Sequence, residues 1–195
     1  MIKTPYHFEA NLSDQEFQKI GQFACRWAFI EHMIGNCLRV MLKMEMEPDA
    51  TVMIFPLSLE TRMTRISKLA KQRFLTGYQL AVLAELRPLI KAMQYLRSTV
   101  LHGIVTSFGD DYDPHFHLRS HSRNVNIKDL FACDDLIKYT AHVTQAFRLS
   151  LGDKTIEGHE GHTYELPRRP HIPEFLPPDC RKLPQDDTAL LRERN

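Results

Sequence analysis

The residues best suited to chemistry stand together in the run Tyr95-Leu96-Arg97-Ser98-Thr99-Val100-Leu101-His102-Gly103. Arg97 offers a permanent planar charge that can grip two phosphate oxygens at once. His102, five positions on, has the side chain whose ordinary pKa of about 6.5 lets it give or take a proton near neutrality. Ser98 adds a short hydroxyl beside the arginine. The same residues also suit a plainer role, with Arg97 in a surface ion pair and His102 stabilising the last carbonyls of a helix.

The surroundings favour anions. Between Leu57 and Ser107 stand Arg62, Arg65, Lys68, Lys71, Arg73, Arg87, Lys91 and Arg97 against only Glu60 and Glu85, although the 195-residue chain as a whole carries a formal charge of +1. A local basic face acts within a Debye length of about 8 to 10 Å, so a neutral molecule can still bind phosphates there. Arg65, Arg87 and Lys91 are the candidate contacts, unless acidic residues elsewhere in the fold balance a merely solvated face. A second cluster, His115, His117 and His121 with His159 and His162 further on, would put two imidazoles on one side of a strand. No acidic or cysteine residue completes it at a familiar spacing, so no metal site and no cofactor is expected. Glycine-rich phosphate loops, GxSxG and HExxH are absent from the sequence, which removes the commonest nucleotide-binding, hydrolase and metalloprotease readings.

Helices must position these groups. Ser13 and Glu16 form a capping box, and Phe17, Ile20, Ala24, Trp27, Ile34, Leu38 and Met41 repeat at spacings of three and four, a long first helix ending near Pro48. Glu31 falls on the same stripe, where a buried carboxylate needs a partner. After Pro56, with Ser58 as cap, Leu59, Met63, Ile66, Leu69 and Ala70 mark a second helix to about Phe74. From Gln79 a third pattern runs to about Val105, with Pro88 expected to kink it or start a new helix. Gly109 to Pro114 is turn-rich, and weak alternation from His115 to Asp129 suggests a short hairpin. Asp134 or Asp135 opens the last helix, closed by Gly152. Pro167, Pro170, Pro173, Pro177, Pro178 and Pro184 mark the remainder as an extended tail, with Phe175, Leu176 and Leu183 as apolar anchors.

The expected fold is therefore all-α: a bundle of four to five helices over residues 1–152, with a small β-hairpin or irregular insertion before the last helix, and a Pro-rich tail over 153–195. Hydrophobic residues make up 43% of the chain, enough for one core. No run of about 18 apolar residues and no apolar leader is present, and the scattered Cys25, Cys37, Cys133 and Cys180 read as reduced thiols, so a cytoplasmic protein without a membrane span is expected.

Arg97, Ser98 and His102, flanked by Leu96 and Gly103, resemble the signature of the HEPN superfamily: an arginine, a polar residue, three further positions and a histidine near the end of a late helix. Trp27 and Glu31 match a second habit of that family, an aromatic residue with a glutamate four positions on in the first helix. The resemblance covers roughly residues 13 to 151. It implies a helical bundle, Arg97 and His102 as catalytic residues, Ser98 and Glu31 in support, and a composite site in the cleft of a homodimer. Ser98 departs from the family, which most often has Asn, Asp or His there; its reach is shorter, so the match bears more firmly on fold than on catalysis.

The implied activity is metal-independent endoribonuclease cleavage of single-stranded RNA to 2′,3′-cyclic phosphate ends, in a toxin or defence effector with a nucleotidyltransferase-like antitoxin. A base for the 2′-hydroxyl, a cation for the developing charge and an acid for the 5′-oxygen are all required. One Arg97 and one His102 are too few; two copies across a two-fold axis supply two of each. The competing reading is a non-catalytic HEPN-like module that binds RNA or a partner protein through the same basic cleft.

Overall fold

A computed structural model describes residues 12–44, 47–102, 104–107, 114–117, 124–152 and 163–181. Its long elements are helices: α1 (Asp14–Met41), α2 (Glu47–Met53), α3 (Leu59–Gln72), α4 (Gly77–His102), α5 (Ile127–Ala132), α6 (Asp134–Ser150) and α7 (Pro178–Arg181). Three short strands, β1 (Ile104–Ser107), β2 (Pro114–His117) and β3 (Asn124–Asn126), stand between α4 and α5 as one antiparallel sheet in the order β1-β2-β3. Ile104 pairs with His117, and His115 with Asn126.

Local chemistry explains most boundaries. The Ser13–Glu16 capping box closes the start of α1 in both directions, and Ser58 caps α3 by accepting from Thr61 N. Gly152 takes φ 74° just past α6, the left-handed turn that a glycine permits without strain. Two boundaries differ from the sequence expectation, and of the two outcomes expected at Pro88 the new helix does not occur. α1 stops at Met41, where Lys43 turns at φ 57°, and Pro48 lies instead in the first turn of α2, a position where its missing N–H costs no hydrogen bond. α4 ends at His102 and gives way to β1. Pro88 starts no new helix: α4 runs unbroken through it. A mid-helix proline costs about 3 kcal/mol, and the burial of Leu86, Leu89 and Ile90 around it offsets that cost.

α6 is the central helix, packing on both α1 and α4, while α1 also meets α3 and α4. Phe147, Ile30, Ile34, Leu38, Ile66, Leu86, Leu89 and Met93 are fully buried between them. Beyond Gly152, the described part of the tail lies on the same domain: Leu166, Leu176 and Cys180 join the core, and Ile172 and Phe175 pack against it. Leu183 lies outside the described residues. Polar bonds tie the tail down as well. Tyr78 on α4 donates its hydroxyl to the Tyr164 carbonyl (2.7 Å) and accepts from the Tyr164 N–H (3.0 Å). Glu85, 4% exposed on α4, accepts from Arg169 and from the Tyr139 hydroxyl (3.0 Å). Among the described residues no helix is long and apolar enough to cross a membrane, and the four cysteines are free.

Candidate functional site

Arg97, Ser98 and His102 share the last two turns of α4. Leu96 and Val100 anchor that end in the core, and Thr99 donates its hydroxyl to the Tyr95 carbonyl at 2.9 Å. Arg97 and Ser98 are half-buried, at the border between core and solvent. His102 closes the helix, and its imidazole lies outside the described side chains.

Glu31 is half-buried on α1, where the periodicity predicted full burial. The charge it meets is Arg62 of α3. Burial lowers the Arg62 pKa and the nearby Glu31 carboxylate opposes that shift. Arg62 itself, 8% exposed, is a clamp: Nε donates to the Leu57 carbonyl (2.9 Å), Nη1 to the Glu31 carbonyl (2.9 Å) and Nη2 to the Phe55 carbonyl (2.6 Å). The Phe55 ring lies 5.7 Å from the guanidinium and stacks on His32 at 5.2 Å with planes 6° apart. One of the eight cations counted in the sequence is thus spent on holding α1, α3 and the 54–58 turn together.

Four others gather in one place. A groove of about 480 Å³ between α3 and α4 is lined by Lys68 and Lys71 on one wall and Arg87 and Lys91 on the other, with Glu60 as its acidic residue. All four cations are exposed, and no ion pair among the described residues engages them. The structure therefore brings together two of the three predicted phosphate contacts, Arg87 and Lys91. Arg65 is exposed on α3 but does not line the groove, because it stands more than a quarter-turn away from the stripe Glu60, Thr64, Ser67 and Lys71. Lys68 and Lys71 complete the groove; Lys71 belongs to that polar stripe and Lys68 borders it.

Other chemistries find less support. Among the described residues no group of three or more His, Cys, Asp or Glu could hold a metal ion; His115 and His117 lie on β2, and His121, His159 and His162 fall outside those residues. Burial pushes the Cys133 thiol up to about 12 and the Cys180 thiol to about 11, so neither is a thiolate nucleophile at neutral pH. Buried Glu85 is committed to Arg169 and Tyr139. Periodicity alone did not single out that triad, since its three members lie on α4, α6 and the tail. Compared with protein-family models, curated proteins and solved structures, the chain gives no match.

Proposed function

We propose that this chain is a metal-independent endoribonuclease of HEPN type that cleaves single-stranded RNA from a composite site in a homodimer cleft. The observation that carries the reading is the placement of Arg97, Ser98 and His102 on the last two turns of one helix, whose preceding turns bear Arg87 and Lys91 in a basic groove. Arg97 neutralises the charge that develops on the scissile phosphate, and His102 moves the proton, as base in one protomer and acid in the other. Ser98 hydrogen-bonds near the same phosphate. Glu31 is a supporting carboxylate, and a nucleotidyltransferase-like antitoxin is the partner that would hold such an activity in check.

Incubation of the purified chain with single-stranded RNA in EDTA tests this directly. Cleavage with 2′,3′-cyclic phosphate ends is expected. His102→Ala and Arg97→Ala should each abolish it without loss of helical content, the latter through a few kcal/mol of transition-state stabilisation. Wild-type rates in both variants would remove the site. Light scattering should give a dimer, and a monomer that still cleaves would overturn the composite mechanism. Glu31→Leu should still fold but slow cleavage; an unaltered rate would take Glu31 out of the site.

A second reading, an RNA-binding module without catalysis, draws on Ser98, whose side chain is shorter than the residue the family usually has there. It predicts RNA binding with no cleavage.

A further inference from the structure

The groove between α3 and α4 is not required by the chemistry assigned to Arg97 and His102, yet it points towards them. On α4, Arg87, Lys91, Gln94, Ser98 and His102 follow one another at steps of four, three, four and four. Residues so spaced form a single stripe along a helix. At 1.5 Å of rise per residue, Arg87 and His102 are about 22 Å apart along the axis. A nucleic-acid strand advances about 3.4 Å per nucleotide when stacked, so that distance corresponds to about six nucleotides.

The groove's own chemistry fits a polymer backbone. Two cations on each wall, one helical turn apart or nearly so, present point charges in series rather than a single converging cradle. Thr64 and Gln94 add neutral donors, while Ser67 spends its proton on the Met63 carbonyl at 2.8 Å. Met63 and Ile90 give the floor an apolar patch against which a ribose or base can rest. A cavity of about 480 Å³ admits one strand; a duplex, whose A-form shape is read across its broad minor groove, would touch it only from outside.

We infer that the α3–α4 groove holds the phosphodiester backbone of a single RNA strand that extends from the scissile phosphate at the His102 end of α4 towards Arg87. The inference rests on the ribonuclease reading for the position of the cut, but not for binding itself. Its consequence is a length rule: RNA reaching about six nucleotides past the cut along the groove is bound and cleaved better than shorter RNA.

The test uses the full chain and the quadruple variant K68Q/K71Q/R87Q/K91Q, all four side chains being exposed. Both are prepared in a His102→Ala background so that the probe survives. Binding of a labelled single-stranded RNA of about twelve nucleotides is followed by fluorescence anisotropy between about 50 and 200 mM salt. Four phosphate contacts to a single strand contribute about −2.8 to the slope of log affinity against log salt, so over that range the parent should lose about 50-fold more affinity than the quadruple variant. Equal slopes overturn the inference, as does a parent that binds no RNA. Inorganic phosphate or a nucleoside monophosphate binding as tightly as the oligonucleotide would also overturn it, by making the groove a small-phosphate pocket. With His102 restored, the quadruple change should lower kcat/KM for the long RNA far more than for a dinucleotide; an equal loss on both would overturn the length rule. If no RNA is cleaved but the slopes still differ, the ribonuclease reading falls while the groove assignment stands.

Discussion

The Arg169 guanidinium grips the buried carboxylate of Glu85, Nε lying 2.8 Å from Oε1 while Nη2 bonds Oε2. Eighty-four residues separate them in sequence, so this contact fastens the C-terminal segment to α4. The Tyr139 hydroxyl shares the same carboxylate; burial and that negative charge together drive its pKa well above the ordinary value. Arg169→Leu leaves a carboxylate buried without its cation and should cost about 3 to 5 kcal/mol, read from urea-unfolding midpoints. The triple change Glu85→Leu, Tyr139→Phe and Arg169→Leu should recover most of that loss, because no charge then remains buried. If it is as unstable as the single variant, the pair matters through packing and not through charge.

Arg62 makes a different demand, three carbonyls met by one forked cation. Arg62→Lys keeps the charge but can satisfy one of them well, so it should lower stability by about 1 to 3 kcal/mol in the same assay. A change at or below the noise of the measurement would show that water satisfies the carbonyls of Glu31, Phe55 and Leu57.

Two glycines of α1 should respond in opposite directions to alanine. A Cβ at Gly35 would stand 2.5 Å from the Phe55 ring, which stacks on His32 and lies near the Arg62 guanidinium, so Gly35→Ala should cost about 1 to 3 kcal/mol. Nothing lies within 4 Å of a Cβ at Gly21. There alanine removes backbone freedom from the unfolded chain and should stabilise by about 0.5 to 1 kcal/mol. Thermal melts of the two variants, rising for one and falling for the other, check both statements.

Asp134 opens α6 and binds Arg26 of α1 and Lys138 one turn on, the latter at 2.6 Å. Burial raises its pKa, but the hydrogen bonds from Lys138 and Arg26 outweigh that, and the net direction is below the ordinary 3.8. A carboxyl depressed in the folded state contributes stability that is complete above its unfolded pKa and is lost as pH falls through the folded one. Asp134→Asn should therefore be less stable than wild type at pH 7, by about 0.5 kcal/mol for so exposed a pair. The two proteins' melting temperatures should converge as the pH drops below about 4. A difference that persisted in acid would mean that the loss comes from capping geometry instead of charge.

The helices were legible because their signals are local. The Ser13–Glu16 box, the Ser58 cap, the three-and-four spacing from Leu136 to Phe147 and Gly152 at the end of α6 all depend on neighbours within one or two turns. α5 carried such a signal too, an Asn126–Asp129 capping box, but six residues give periodicity too little length to register. What the sequence could not display was pairing at a distance. Arg62 reads as one more surface cation until the Leu57, Phe55 and Glu31 carbonyls are seen around it. Lys68 and Lys71 join Arg87 and Lys91 only because the four-residue turn 73–76 folds α4 back along α3. Arg65 lies a further turn of about 60° round α3 from Lys68, on the side away from Glu60, Thr64, Ser67 and Lys71, a distinction of helical phase that a count of charges does not hold.

The clasp on Glu85 also sets an order of events during synthesis. α4 leaves the ribosome long before Arg169 has been translated, and at 5 to 20 residues per second the delay is about 4 to 17 s. Through that interval Glu85 has no cation to justify its burial, and the places later filled by Leu166, Leu176 and Cys180 are open. The nascent bundle must keep this flank wet until the segment around Arg169 arrives. This flank of the fold therefore closes only once translation has passed Arg169, well after the helices it covers have emerged.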